Sequence, residues 1–235
     1  MELLRGEVRE KCESMDVPLL GFASVSAWDQ EKYAYIPEDQ RPEALLPGAR
    51  SAIVMGIPVS LPVVLSAPSI WYAELYRTVN SLLDQSAYRL AMFLEAKGHR
   101  SAFVPRDGYP GLNYLKEGGE VMFSHRHAAV MAGLGSFGLS NVVLTPQYGP
   151  RVRFVTVLTQ ADLGGAEESE ELCAKCGLCV RRCPVGAVAD LPYPDGLTDK
   201  QACITRSGEL RAEGRAPCGI CIAVCPIGED RHGKR

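Results

Sequence analysis

Eight of the nine cysteines lie in the last third of the chain, and their order reads as two sets of iron–sulfur ligands. The first run is Cys173-x2-Cys176-x2-Cys179-x3-Cys183-Pro184, and the second is Cys218-x2-Cys221-x3-Cys225-Pro226. The first has the spacing of two-cluster ferredoxins, where the fourth cysteine of a run reaches the other 4Fe–4S cube. In the second run a fourth ligand is expected at position 215, which is Arg215; upstream, Cys203 is the cysteine free to replace it. Cys173, Cys176, Cys179 and Cys225 are therefore assigned to one cluster, and Cys183, Cys203, Cys218 and Cys221 to the other. Thiolates so close in sequence can surround a cube only where the backbone curls tightly. Gly177 and Gly219 permit that without a Cβ clash, and the closing prolines help turn the chain away.

Two other chemistries use such cysteines. Structural zinc takes four ligands in two separated pairs, which three cysteines in register before Cys-Pro fit poorly. A disulfide framework belongs to an oxidising compartment and usually a small secreted chain. Here the first residues, MELLRGEVREKCESMDV, are charged throughout and have no apolar signal core, and the cysteine count is odd. The remaining Cys12 is expected to be a half-buried thiol on the first helix, without a chemical role.

Those ligands need a body to sit against. The chain has 235 residues, 46% apolar and 23% charged, with a net charge of −3. This is the composition of a globular protein of one or two domains. No basic excess points to nucleic acid, and no charge block to a tail. Between Arg50 and Glu74 no residue is charged, a length that could cross a membrane. Pro58, Pro62 and Pro68 interrupt it, so no unbroken helix could span a bilayer. A buried strand over 51–57 is expected, then an apolar loop that must be covered by a cofactor face, a dimer partner or the protein's own core.

Further elements follow from periodicity. Residues 2–15 form an amphipathic helix with Leu3, Leu4, Val8 and Cys12 on one face. Strands are expected over 19–25, 101–104, 141–145 and 151–159. Residues 33–48, rich in proline and charge, read as a surface loop. A long helix covers 69–97, with Leu75, Val79, Leu82, Leu83, Leu90 and Leu94 on its apolar face, and ends at Gly98. A loop follows over 105–111, and a short helix over 123–131. Strands mixed with helices give an α/β or α+β first domain over 1–163. The acidic stretch 164–171 then leads into a ferredoxin-like module over 164–235. Gly133-x-Gly135-x2-Gly138 has the letters of a dinucleotide fingerprint, but a helix precedes it and a strand-prone segment follows, the reverse of what that motif needs. The glycines instead mark a tight turn close to another surface.

Taken together, Ala132-Gly133-Leu134-Gly135-x2-Gly138, the following Asn141, residues 151–159 and the interleaved cysteine runs with Cys203 displaced resemble the cobalamin-dependent iron–sulfur reductases. That family includes epoxyqueuosine reductases and respiratory reductive dehalogenases. The likeness is strongest from residue 123 onward, roughly half of the chain. It implies an α+β fold with a nitroreductase-like domain. That domain would hold a corrinoid whose lower base is detached, beside a two-cluster module that relays electrons. It further implies an electron donor such as a ferredoxin or flavodoxin, and a small-molecule substrate or a corrinoid protein as recipient. Three departures mark a short relative. Leu139-Ser140 stand where the family often carries a lysine, ten residues follow Cys225 where epoxyqueuosine reductases have a tRNA-binding extension, and there is no twin-arginine leader. A cytoplasmic protein without nucleic-acid or membrane partners is expected, and a homodimer is one arrangement that would cover the apolar loop. The competing function is an electron-transfer or corrinoid-reducing protein with no substrate of its own; a flavin in the first domain is a third reading.

The resemblance also implies site residues. Asp107, in Asp107-x2-Pro110, falls where the family places a proton-donating aspartate; its alternative role is to satisfy a turn. Tyr109 is a second proton-donor candidate. His125 and His127 could ligate cobalt, bind substrate or protonate it, sharing a pocket only if that piece is extended. Tyr72, Tyr76 and Asn80, spaced by four, form one helix stripe that could hydrogen-bond corrinoid amides. Gly133, Gly135, Gly138 and Asn141 would approach the cofactor, and Arg151 and Arg153 could hold an anionic group.

Overall fold

The computed structural model describes residues 1–107 and 110–232. In chain order the first part runs α1 (Glu2–Glu13), β1 (Leu19–Ser24), α2 (Pro42–Leu45), β2 (Ser51–Pro58), α3 (Leu61–Leu65) and α4 (Ile70–Ala96). There follow β3 (Ser101–Val104), α5 (Leu112–Lys116), α6 (His125–Met131), β4 (Ser136–Phe137), β5 (Val143–Leu144) and β6 (Val152–Thr159). The cysteine module adds α7 (Leu178–Arg181), α8 (Lys200–Ala212) and α9 (Ile220–Ala223). The main sheet has the order β1-β2-β6-β3 with every pairing antiparallel, so the fold is α+β.

The uncharged stretch is explained by position. β2 lies between β1 and β6, with Ile53 opposite Val157. A central strand covered on both faces has no side free for polar residues. Ile53 and Met55 face α1 and α4 together with Val8, Phe22, Leu83, Leu90 and Val155. Ala52 and Val54 face the other layer with Trp28, Ala128, Phe154 and Leu158. The apolar loop after β2 contains α3, whose Val63 and Val64 pack on Tyr72 and against Ile222 and Ala223 of the cysteine module. The chain's own core thus covers most of it, although Leu65, Ile70 and Trp71 stay exposed. No helix among the described residues is long and apolar enough to cross a membrane.

α4 starts where the sequence places it, because the Ser69 hydroxyl accepts the Tyr72 N–H at 3.0 Å. Val79, Leu83, Leu90 and Leu94 are buried as expected, but Leu82 is 48% exposed, since it lies off the i, i+4 row that faces the sheet. On α1, Val8 and Cys12 are buried while Leu3 points to solvent. Cys12 is buried rather than half-buried, and burial pushes its thiol up to about 12, which makes it chemically inert. The segment over 33–48 is more than a surface loop, because Tyr33, Ile36 and Leu46 close one face of the core.

Candidate redox site

The two cysteine runs fold as a structural repeat. Gly177 and Gly219 both sit in the left-handed region, at φ 68° and 71°, and each opens a single helical turn, α7 or α9. That turn lifts Cys179 or Cys221 toward the thiols that precede it, the local consequence of Cys-Gly-x-Cys in each run. The thiols then gather across the repeat. Burial raises the Cys225 thiol, and Cys179 and Cys173 are the cysteines near enough to add to the effect. Cys179 in turn feels Cys173 and Cys176. Burial likewise raises Cys203, whose neighbours are Cys218 and Cys183. Cys221, pushed up to about 12 by burial, feels Cys203 and Cys218 first and then Cys179 and Cys183. So 173, 176, 179 and 225 stand together, 183, 203, 218 and 221 stand together, and Cys221 faces both groups.

A hollow lined by Cys173, Cys176, Cys179 and Cys225 is roofed by Gly138, Leu139 and Leu144. Cys203 rides on α8, whose first turn Asp199 caps by accepting the Ala202 N–H. Arg215 takes up the Pro68 carbonyl at 3.0 Å, so the position that lacks a cysteine ties the module to the start of α4. Among the described residues no three His, Cys, Asp or Glu stand close enough to hold a single metal ion. An iron–sulfur cube, by contrast, spreads its four thiolates over separate irons.

A polar cluster lies at the end of the sheet next to the second cysteine set. The ring of Tyr72 packs so closely on Gly219 that an added Cβ would stand 2.4 Å from it, with Cys221 and Cys218 nearby. One turn on, Tyr76 lies beneath the Arg153 guanidinium at 4.4 Å. Another turn on, Asn80 Oδ1 accepts the Arg153 Nε–H at 3.0 Å. The stripe of three is therefore one surface, and Arg153 from β6 lies across it. Arg153 also faces Asp107 at 3.8 Å, while Arg106 approaches Asp107 at 3.6 Å and pairs with Asp84. His125 closes the back of this cluster. Its Nε2 meets the Pro105 carbonyl at 3.0 Å, so Nε2 carries the proton and Nδ1 accepts from Thr156 at 2.9 Å. Burial lowers His125 to about 4, which keeps it neutral. It fixes the chain two residues before Asp107. Tyr109 lies outside the described residues.

His127 points elsewhere, because successive odd residues of a helix diverge. Its Nδ1 pairs with Ser124 Oγ at 2.7 Å and its Nε2 meets the phenols of Tyr193 and Tyr35 at 2.8 and 3.1 Å. The two histidines do not share a pocket.

The glycine turn packs against the chain itself. A Cβ on Gly135 would stand 2.0 Å from the Leu144 carbonyl oxygen, and one on Gly133 2.6 Å from that of Glu167. Gly138 rests on the Leu144 side chain. Asn141, at φ 54°, donates to the Gly196 carbonyl and accepts the Thr198 N–H at 2.7 Å, so it pins the loop between Cys183 and Cys203. These four residues join the first part of the chain to the module. Arg151 has a similar task, holding the Val59 carbonyl and Asp230. Sequence reasoning missed Tyr35, Phe137 and Tyr193 around His127, which come from three distant segments with no shared spacing.

Comparison with known proteins places this geometry. Residues 166–189 match the 4Fe-4S binding domain. The chain is 26% identical over 233 residues to an epoxyqueuosine reductase of Bacillus cereus, an alignment covering 86% of this chain and 56% of that one. It is 26% identical over 152 residues to a tetrachloroethene reductive dehalogenase of Dehalobacter restrictus, covering 63% of this chain and 25% of that one. It thus spans about half, or less, of the length of these relatives. Among solved structures, an epoxyqueuosine reductase bound to a tRNA stem loop superposes with a TM-score of 0.65 at 21% identity, covering 98% of this chain and 66% of that one. A catabolic reductive dehalogenase superposes with a TM-score of 0.69 at 17% identity, covering 96% and 32%. Because a protein of this fold carries tRNA, the expected absence of nucleic-acid partners does not extend to the fold as a whole. The chain is thus similar in sequence and in fold to epoxyqueuosine reductases and reductive dehalogenases, and its residues 166–189 match the 4Fe-4S binding domain.

Proposed function

We propose that the chain is a cobalamin-dependent iron–sulfur reductase. Its module over 164–235 would hold two 4Fe–4S clusters, and its body over 1–163 would hold the corrinoid. The observation that carries this reading is the α4 stripe. Tyr72 packs on Gly219, between Cys218 and Cys221 of the second set, Tyr76 and Asn80 continue along the helix, and Arg153 joins them to Asp107. One set of side chains therefore connects the electron-carrying end to a candidate proton donor.

Cys173, Cys176, Cys179 and Cys225 would hold one cluster, and Cys183, Cys203, Cys218 and Cys221 the other, which, when bound, supply single electrons. The polar end suits a large ring edged with amides. Tyr76, Asn80 and Arg153 offer donors and an acceptor there, and among the described residues the buried Arg106 Nε beside Asp107 makes no hydrogen bond. A corrinoid bound there would supply a cobalt that can take up electrons and reduce a substrate. The residues' own work is separate. Arg153 orients the stripe, His125 fixes the exit of β3, and Asp107 would deliver a proton from its carboxyl oxygen. The glycine turn and Asn141 would act by holding the module in place rather than by touching the ring. His127 lies apart from this site.

The second reading is an electron carrier with no substrate of its own, working on a corrinoid protein. The pairing of Asp107 with both Arg106 and Arg153 favours it, because that gives the carboxylate a structural task. A ferredoxin or flavodoxin is the donor in either reading. Anaerobic reconstitution with iron and sulfide, then titration with cobalamin followed by absorbance, tests the proposal. Spectral change with bound cobalamin supports it; clusters without any cobalamin response leave the carrier reading.

A further inference from the structure

We propose that the aromatic hollow beside His127 binds the flat ring of an isoalloxazine-type electron carrier and is where electrons enter. The inference rests on the reading of Cys173 as a ligand of the first cluster. The hollow has a volume of about 250 Å³ and is walled by Tyr33, Tyr35, Phe137 and Tyr193, with Cys173 on one side. Phe137 and Tyr193 are already stacked, with ring centroids 4.1 Å apart and planes at 28°, so one wall is a flat aromatic slab. Tyr35, 43% exposed, stands at the mouth.

The wall is also polar at one point. Both phenols reach His127 Nε2, at 2.8 and 3.1 Å. Tyr35 is also hydrogen-bonded to Tyr193, so the two phenols and the imidazole form one linked polar set beside the hollow. Lys32 and Glu168, paired at 2.8 Å, sit at the rim. A fused ring with apolar faces and amide-like edges matches this lining. A whole corrin ring is too large for it, and Asp107 lies in the other cluster of polar residues, so neither the proposed cofactor nor its substrate accounts for the hollow.

Position gives the function. Cys173 lines both this hollow and the hollow of the first cysteine set, so a ring bound here lies against a cluster ligand. In each transfer the reduced ring loses one electron, the oxidised cluster gains it, and one ring proton passes to solvent. Two transfers return the ring to its oxidised form. The ring could come from free FMN or from a flavodoxin.

The test uses the protein with clusters reconstituted. FMN is titrated anaerobically while its fluorescence is read, and reduced FMN or reduced flavodoxin is then mixed in while cluster absorbance is followed. Quenching that saturates, with cluster bleaching, is expected. Tyr35→Ala should weaken binding on the order of tenfold with iron content unchanged, and Tyr193→Phe, which keeps the slab, should weaken it less. Bleaching by free FMN or by flavodoxin alone, with the same Tyr35 dependence, identifies the source and supports the site. No quenching in protein with full iron overturns the inference and leaves the cluster assignment standing. Quenching that Tyr35→Ala does not change, or that cobalamin abolishes, overturns it as well, the latter by giving the hollow to the corrinoid.

Discussion

Like Cys176, Cys203 is an exposed member of the proposed ligand sets. It lies on a polar helix, far in sequence from the thiols it joins, and Arg215 fills the place where a regular run would put its substitute. Protein reconstituted with two cubes should carry about eight irons. Cys203→Ser should reduce this to about four, because no spare cysteine is near; iron analysis and the reduced electron paramagnetic resonance spectrum check it. A second prediction concerns Asp107. A proton donor contributes roughly 10²–10⁴-fold to rate, whereas a carboxylate in half-exposed ion pairs is worth about 1 kcal/mol or less. If Asp107 is the donor, Asp107→Asn should abolish turnover of an identified substrate while iron content and melting temperature stay close to wild type. If turnover persists within a few-fold, Asp107 serves Arg106 and Arg153.

At the scale of elements, α4 does two jobs. Its apolar row packs on the sheet, and its first two turns face the module through Tyr72 and Tyr76. Gly219 makes that contact possible, combining a left-handed backbone with a Cβ-free face against Tyr72. Gly219→Ala should cost about 1–2 kcal/mol in backbone strain alone, and the displaced Tyr72 should lower the iron held by the second set first. A thermal melt together with iron analysis reads both effects. The cysteine repeat, the end of α4 and the central strand β2 were legible in the sequence because each rests on local rules: spacing, a glycine past the last turn, an uncharged run. α8 was not, since Leu210 is its one buried residue and it shows no apolar stripe. The α4 stripe could be seen, but its meaning depended on Arg153, 73 residues beyond Asn80. The glycine turn was read as a surface for a cofactor. Its close approach turned out to be to the chain's own Leu144, which no local pattern could identify.

For the whole molecule, the two buried histidines set a pH dependence. Burial lowers both His125 and His127 from 6.5 to about 4 in the folded protein. The unfolded chain therefore binds more protons between those values, and stability contributed by the neutral rings is present above about 6.5 and lost as pH falls toward 4. Each accounts for stability on the order of 3 kcal/mol. The melting temperature should fall across that window, and His127→Gln should flatten the fall by removing one of the two groups.

The central claim is that one continuous stripe links the second cluster to a corrinoid at the polar end of the sheet. Titration of cobalamin into anaerobic, cluster-replete protein tests it most directly, with absorbance read before and after chemical reduction. The account predicts saturable binding with the spectrum of a corrinoid whose lower base is detached, weakened by Arg153→Gln and Tyr76→Ala while the clusters stay intact. An unchanged cobalamin spectrum at full cluster occupancy would contradict it.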